Sequence, residues 1–206
     1  MSNPWKDIKL SDYEGHMNLE SVKQLPVLRL ILKSQLESYP VDSAMIIGVA
    51  GGAGLEHIQP GQLKKLYGVD INEEFLKECD FRYANLKPML ELINCDLMDE
   101  NCSLPTADMM ICNLVAEYIG YDSVLNTIEK VTPKYVSYVI QVNMNNNFVS
   151  DSPYLKAFVR LDEVHCLMEE EVLSEKMDSI GFQLINKGIE DLPNGKLLIR
   201  LDFQRK

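Results

Sequence analysis

The sequence predicts an α/β fold: a doubly wound, mostly parallel sheet of seven strands that ends in an antiparallel C-terminal hairpin. Short apolar segments alternate with helical patterns along most of the 206 residues, and this order favours a parallel sheet with helices on both faces. The first apolar segment runs into four glycines within positions 48–54. Near the C terminus, two strand patterns flank a Pro-Asn-Gly turn, which is typical of a hairpin.

Before the first strand, residues 18–39 are predicted to be helical. Asn18 can cap the start of this helix, and Pro26 should kink it or begin a second helix. Apolar side chains recur at steps of three or four residues, at Leu25, Leu28, Leu32, Leu36 and Tyr39. We interpret residues 1–42 as an N-terminal helical lid or cap segment and residues 43–206 as one domain.

Five segments are predicted strands, and the first of them has the apolar composition of a strand that is covered on both faces. They are 44–50, 65–71, 90–96, 108–114 and 135–143. A short helix is expected from Gly54. Another should follow Asn72, which caps it, with Glu73 and Glu74 in the first turn, where the helix dipole favours negative charge. Residues 124–131 belong to a further helix.

The last forty residues predict an antiparallel end to the sheet. A helix over 168–182 stops at Gly181, because glycine is favoured just past a helix end. Strand patterns at 182–190 and 196–203 are joined by the turn at 191–195. The two strands therefore form a hairpin.

The composition indicates a globular protein that binds neither nucleic acid nor a membrane. The chain is 46% hydrophobic and 25% charged, values that are ordinary for a chain with a full core. The net charge is −11 without any block of lysine or arginine, which is the opposite of a nucleic-acid or anionic-membrane footprint. No segment has the length and apolarity of a membrane span or signal peptide. We expect a cytoplasmic monomer or homodimer.

The five cysteines predict neither a metal site nor a disulfide framework. They stand at positions 79, 95, 102, 112 and 166 without zinc-type spacing. Several lie in apolar segments, so we expect reduced, mostly buried thiols and no metal.

The glycine turn and the end of the second strand predict a ligand site. Ligands of open α/β sheets bind beyond the carboxyl ends of the strands, at the switch point of strand order. Glycine lets a nucleotide-like ligand approach the backbone, and the carboxylate of Asp70 suits a pair of ribose hydroxyls. Helix capping beside Asn72 is the alternative role for Asp70. The G-x-G-x-x-G spacing of dinucleotide-binding folds is not present in this turn.

Four motifs, in this order and spacing, resemble those of class I S-adenosylmethionine-dependent methyltransferases: GVAGGAG, GVDIN, NCDLMD and ADMMICNLVAEYI. The resemblance covers residues 43–206 and implies a Rossmann-like domain that binds S-adenosyl-L-methionine. The glycine motif of that family is acidic-x-Gly-x-Gly-x-Gly. Here Gly48 takes the acidic place and Ala50 that of the first glycine, while Gly52 and Gly54 match. This departure leaves open weakened binding, a rearranged turn or lost activity.

The resemblance implies a set of cofactor-binding residues. Asp70 would hold the ribose with Ile71 beside the adenine, Asp96 and the Leu97 N–H would meet the adenine ring, and Asn113 would lie near the methionyl group. A turn-forming role is the alternative for Asp96. The full set is Gly48, Ala50, Gly51, Gly52, Gly54, Asp70, Ile71, Asp96, Leu97 and Asn113.

Candidate acceptor residues lie in two segments. Tyr13, His16 and Met17 belong to the N-terminal segment, which in the resembled family often folds over the cofactor. Glu117 and Tyr118 follow the fourth strand. We expect Tyr13, His16, Met17 and Tyr118 to contact the substrate. Tyr13, His16 and Glu117 are the catalytic candidates, with His16 as a possible base. A mobile tail with an exposed histidine is the alternative for His16, and a plain core role is the alternative for Tyr118.

The sequence therefore predicts a methyltransferase that moves a methyl group in line from S-adenosylmethionine to a small-molecule acceptor. The Asn-Pro-Pro-Tyr motif of enzymes that methylate the amino groups of adenine or glutamine is not found after the fourth strand. Two alternatives are a non-catalytic module that binds the adenosyl cofactor and a nicotinamide-dependent oxidoreductase. Residues 143–148 are expected to form a loop. The alternative is that their polar amides bind the acceptor.

Overall fold

A computed structural model describes residues 3–143 and 148–206. Its strands are β1 (Ser43–Ile47), β2 (Lys65–Asp70), β3 (Leu90–Asn94), β4 (Met109–Asn113), β5 (Tyr135–Val142), β6 (Phe182–Asp191) and β7 (Leu197–Arg205). They form one sheet in the order β3-β2-β1-β4-β5-β7-β6. The first five strands pair in parallel, and β7 is antiparallel to both β5 and β6. The predicted fold class is confirmed.

The α-helices are α1 (Leu10–Met17), α2 (Gln24–Ser38), α3 (Glu73–Arg82), α4 (Ala116–Val131) and α5 (Glu170–Ser179). Short 3-10 helices occupy Pro4–Asp7, Leu55–His57, Ala84–Leu86 and Leu155–Glu163. Within residues 3–143 and 148–206, no helix has the length and apolarity to cross a membrane.

The sheet is covered on both faces, as the apolar strand patterns predict. Met45 and Ile47 of β1 belong to the core cluster that contains side chains of α4 and α5. Ala44 and Ile46 belong to the cluster that contains side chains of α2 and α3. Because successive strand side chains point to opposite faces, positions 44–47 of β1 are all buried, and only Ser43 at the start of the strand is half-buried.

The predicted helix over residues 18–39 is wrong at its start. The segment begins after α1, which ends at Met17, and contains one helix, α2, which begins at Gln24. Asn18 is the C-cap of α1 and not an N-cap. Pro26 lies in the first turn of α2, where a backbone N–H has no partner within the helix. The second alternative for Pro26, the start of a new helix, is therefore the one observed.

A buried polar network fixes α2 to the sheet. Gln35 Nε2 donates to Ser137 Oγ at 2.8 Å, and Ser137 in turn donates to the Asp202 carboxylate. Arg200 pairs with Asp202 at 2.7 Å, and the Tyr39 hydroxyl donates to the same carboxylate at 2.8 Å. Each buried charge thus has its partner, which is the condition for keeping ions in a low-dielectric interior.

The prediction that the cysteines are reduced thiols is wrong for one pair. Cys95 and Cys102 form a disulfide with their Cα atoms 6.1 Å apart, so this pair is not reduced. Cys79 and Cys112 are buried free thiols, and Cys166 is a half-buried free thiol. Sequence spacing missed the pair because the seven-residue separation matches no common motif, and only the loop after β3 brings the two residues together.

Candidate functional site

A first cavity of about 90 Å³ lies at the carboxyl ends of β1, β2, β3 and β4. The strand order reverses between β1 and β4, so this is the switch point at which ligands of such sheets bind. Seven of the ten predicted cofactor residues line the cavity: Gly48, Ala50, Asp70, Ile71, Asp96, Leu97 and Asn113.

Asp70 links the second strand to the glycine turn. Its Oδ2 accepts the Ala50 N–H at 2.9 Å, and its Oδ1 accepts the Asn72 N–H at 2.9 Å. Burial raises the pKa of this carboxyl to about 6, although backbone N–H donors from Asn72, Ala50 and Ile71 oppose the rise. A carboxylate has about four lone-pair sites, so acceptor capacity remains beside these three donors. Asp70 can therefore hold the turn and still accept hydrogen bonds from a ligand.

At position 48, where the resembled family has an acidic residue, Val115 occupies the space that a side chain would need. Gly48 has φ +70°, and a Cβ on it would lie 2.2 Å from Val115 Cγ2. An acidic residue at this position would collide with Val115. Ala50 also adopts a left-handed conformation, with φ +47°, which costs a non-glycine residue about 1–2 kcal/mol. The backbone of the turn thus still comes close to the first cavity, although its residues differ from the glycine motif of the resembled family.

The other three glycines of the turn face the protein and lie outside the wall of the first cavity. A Cβ on Gly51 would lie 2.8 Å from Glu14 Oε1, and one on Gly54 would lie 2.7 Å from Leu32 Cδ2. Gly52 is crowded by the Tyr83 ring, at 2.6 Å. These glycines let α1, α2 and α3 pack against the turn.

Asn113 and Asp96 line the first cavity, and both have protein partners. The Asn113 and Gln35 side-chain amides exchange two hydrogen bonds of 2.9 Å each. Asp96 Oδ1 accepts the Met98 N–H at 3.1 Å, which is the turn geometry named as its alternative. The side-chain amide of Asn113 is thus occupied by α2, and Asp96 combines a turn contact with a place in the cavity wall.

A second cavity of about 70 Å³ adjoins the first. All five predicted acceptor residues line it: Tyr13, His16, Met17, Glu117 and Tyr118. Four side chains belong to both cavities, namely Trp5, Tyr13, Leu114 and Tyr118. Leu114 has φ +57°, a left-handed backbone that costs of order 1–3 kcal/mol. The two cavities therefore meet at an aromatic boundary beside a strained residue.

The 3-10 helix before α1 supplies the residue that sequence reasoning missed most clearly. The Trp5 ring meets the Tyr118 ring edge-on at 4.8 Å and the Tyr13 ring at 6.1 Å. Asn72 holds this segment, because its Nδ2 donates to the carbonyl oxygens of Trp5 and Ile8. Trp5 is the only tryptophan of the chain, and no spacing signal connects it with the strand ends.

His16 is buried inside α1 and is not part of an exposed tail. It is 5% exposed, its Nδ1 lies 2.8 Å from Ser152 Oγ, and its ring packs on Phe158 at 4.9 Å. Burial lowers the pKa of His16, and the charge of Lys196 lowers it further. The imidazole is therefore neutral at pH 7. The mobile-tail alternative is wrong.

Glu117 lies at the start of α4, where Gly120 breaks the helix with φ 76° and ψ 165°. It is 4% exposed, and its Oε1 accepts the Gln141 N–H at 2.9 Å. Burial raises the pKa of Glu117 to about 7, against the Gln141 hydrogen bond. Among the residues that the structure describes, none donates a hydrogen bond to Oε2.

Both tyrosines at the boundary keep their protons at neutral pH. Burial raises the pKa of Tyr13, and the nearby charge of Asp70 raises it further. Burial likewise raises the pKa of Tyr118, with a further rise from Glu117. Their hydroxyls can donate hydrogen bonds and do not serve as anionic bases.

The predicted loop at 143–148 lies mostly outside the described residues, which resume at Phe148. The Phe148 ring stacks on His165 at 3.8 Å, and both residues line the second cavity. Sequence analysis missed this pair together with other lining residues from distant segments: Gln24, Gln141, Val149, Phe158 and Leu161.

Comparison with solved structures identifies the fold. N-methyltransferase NodS from Bradyrhizobium japonicum WM9, in complex with S-adenosyl-L-homocysteine, superposes with a TM-score of 0.66 at 12% identity over 99% of each chain. The chain has the fold of the class I S-adenosylmethionine-dependent methyltransferases. No protein-family model and no curated protein sequence matches it.

Two further solved structures show how widely this methyltransferase fold is used. Magnesium protoporphyrin IX methyltransferase from Synechocystis PCC 6803, with bound SAM, gives a TM-score of 0.63 at 12% identity over 93% of this chain and 83% of that one. A putative RNA methyltransferase, PH1948 from Pyrococcus horikoshii, gives 0.51 at 12% identity over 88% and 81%. Because the acceptors named for these methyltransferases differ, the fold does not determine the acceptor of this chain.

Proposed function

We propose that the protein is an S-adenosylmethionine-dependent methyltransferase that acts on a small-molecule acceptor. The cofactor binds in the first cavity and the acceptor in the second. One observation carries this proposal: the two cavities share Trp5, Tyr13, Leu114 and Tyr118. A methyl group needs its donor and acceptor in line at near-attack distance, and two adjoining cavities would let the two ligands meet.

The residues of the first cavity fit an adenosyl group. Asp70 keeps acceptor capacity for the ribose hydroxyls beside its hydrogen bonds to backbone N–H groups. Gly48 keeps the backbone open where a Cβ would not fit. Ile71 and Leu97 offer apolar surface to the adenine, and Asp96 lies in the same wall. When bound, the cofactor supplies the electrophilic methyl carbon.

The chain's own residues would position the acceptor and keep water out. Trp5 and Tyr118 pack edge-on between the cavities, so they separate the reacting groups from solvent at the boundary. The protonated hydroxyl of Tyr13 can orient an acceptor by donating a hydrogen bond. His16 contributes a neutral imidazole whose Nδ1 is engaged with Ser152. In this proposal residues 3–24 of the N-terminal segment cap the two cavities, whereas the rest of α2 packs against the sheet.

Ligand-dependent stability tests the cofactor assignment. We expect S-adenosylhomocysteine to raise the unfolding temperature and NAD to leave it unchanged, because a ligand that binds only the folded state stabilises it by about 2.7 kcal/mol at one hundred times its Kd. Stabilisation by NAD alone would support the oxidoreductase alternative. If neither S-adenosylhomocysteine nor S-adenosylmethionine changes the unfolding temperature, the proposal is contradicted. Binding of S-adenosylmethionine without turnover on any acceptor would support the non-catalytic module.

A further inference from the structure

The second cavity contains a buried carboxylate oxygen that has no hydrogen-bond partner among the described residues. Glu117 lines this cavity, and its Oε1 is fixed by the Gln141 N–H while Oε2 receives no hydrogen bond from any described residue. Leaving a buried polar group unsatisfied costs about 1–3 kcal/mol, and more for a charged group. A carboxylate oxygen accepts hydrogen bonds, so an occupant that satisfies Oε2 must bring a donor.

The groups around Glu117 bring no positive charge to it. Cys112, Tyr118 and Cys166 face its carboxylate, and burial raises the pKa of each, so all three are neutral at pH 7. The charge of Lys196 acts on His16 and His165, but its Nζ donates to the Phe148 carbonyl oxygen, and among the described residues no cation contributes to the pKa of Glu117. A bound cation would therefore be the first positive partner of Glu117.

The rest of the wall suits a cation with an apolar body. The rings of Trp5, Tyr118, Phe148 and Phe158 line the same cavity. Aromatic faces attract ammonium groups by about 0.5–2 kcal/mol, with the larger values in desolvated sites. Apolar side chains complete the wall, at Met17, Leu114, Val149 and Leu161.

We propose that the methyl acceptor is a compact organic amine, that its ammonium group binds Glu117 Oε2, and that Glu117 takes up the proton which the amine must lose before it can react. This inference rests on the proposed methyltransferase function. The ammonium donates one proton to Oε2. The nitrogen lone pair then forms the new N–C bond to the methyl group, and the C–S bond breaks with its electron pair left on sulfur. The proton leaves Glu117 for water after the product departs.

Two features support Glu117 over His16 as the proton acceptor. Burial raises the pKa of Glu117 to about 7 and lowers that of His16, so the carboxylate exchanges a proton near neutral pH, where a base is most effective. The hydrogen bonds also favour Glu117. Its Oε2 has no partner among the described residues, whereas His16 Nδ1 lies within hydrogen-bond distance of Ser152 Oγ.

The test compares Glu117→Gln with the wild-type protein in the presence of S-adenosylhomocysteine. Calorimetric titration uses benzylamine and phenethylamine, with benzyl alcohol and phenethyl alcohol as neutral isosteres. We expect the wild type to bind an amine at least about tenfold more tightly than its alcohol, and E117Q to lose about tenfold or more of that affinity, because a hydrogen bond to a charged group contributes about 1.5–3 kcal/mol. Methylation by S-adenosylmethionine, followed by mass spectrometry, should occur on the nitrogen.

A surface variant and the cofactor product provide the controls. Glu171→Gln removes a charge from the exposed part of α5 and should leave amine affinity unchanged. Retained stabilisation of E117Q by S-adenosylhomocysteine shows that the variant is folded. Equal binding of amines and alcohols, equal amine affinity in both proteins, or no amine binding overturns the inference and leaves the methyltransferase proposal standing. No binding of S-adenosylhomocysteine by the wild type overturns the methyltransferase proposal itself.

Discussion

The two cavities differ in how the chain builds their walls. The wall of the first cavity comes mostly from short segments that directly end or follow parallel strands: 48–50, 69–71, 95–97 and 113–115. The wall of the second combines side chains from residues 5–24, from the start of α4, and from Gln141 and residues 148–165. The first wall is thus a product of sheet topology, whereas the second depends on how separate segments pack over the sheet.

This difference explains why one site can be inferred from sequence more fully than the other. Parallel strands in this order place their carboxyl ends side by side whatever the intervening helices contain. Local patterns therefore pointed to Asp70 and the glycine turn. No comparable rule brings Trp5, Gln141 or Phe158 to one place. Their positions result from tertiary contacts such as those of Asn72 with the N-terminal segment.

The largest effect should follow from filling the tight turn of the first cavity. We expect Gly48→Ala to lower the free energy of unfolding by about 2–4 kcal/mol, since the new Cβ meets Val115 and adopts a left-handed backbone. Urea unfolding measures this loss. Gly61→Ala is the matched control, because Gly61 has φ +84° and a Cβ added there would meet no atom of the described residues within 4 Å. Only the cost of the left-handed backbone then applies. Equal losses in the two variants would show that Val115 does not crowd the turn.

The next effect compares the two cavities through the buried carboxylate that each contains. We expect Asp70→Asn to weaken S-adenosylhomocysteine binding by about 10–100-fold, because hydrogen bonds to a charged group contribute about 1.5–3 kcal/mol. Glu117→Gln makes the same chemical change in the second cavity and should keep the wild-type affinity for this ligand. Isothermal titration measures both. A comparable loss in the two variants would contradict the assignment of the cofactor to the first cavity alone.

The sequence predicted the seven strands and the Asn72 cap, because strand alternation and capping are local signals. It missed the start of α2, since Asn18 suits either end of a helix, and only the packing of α1 decides which. It also missed the amide pair of Gln35 and Asn113, which joins residues 78 positions apart. The acceptor residues Glu117 and His16 were predicted to share a pocket, but the unpartnered oxygen of Glu117 is visible only in three dimensions.

A pH dependence distinguishes the ligand-free first cavity from the occupied one. Burial raises the folded-state pKa of Asp70 from 3.8 to about 6, so between those values the folded protein holds a proton that the unfolded chain has released. Raising the pH through this window therefore lowers wild-type stability relative to Asp70→Asn. Tyr13 and Cys79 also face Asp70, but burial raises the pKa of both groups, and they stay neutral throughout.

Ligand binding should show the opposite trend over the same window. A protonated Asp70 accepts hydrogen bonds from ribose hydroxyls less well than the carboxylate, so the wild-type affinity for S-adenosylhomocysteine should fall as the pH drops below about 6, while that of Asp70→Asn stays flat by comparison. Urea unfolding and titration calorimetry at matched pH values measure the two trends. If both rose together with pH, the carboxyl that destabilises the empty cavity would not be the one that holds the ligand, and the dual role of Asp70 as turn anchor and ligand acceptor would be lost.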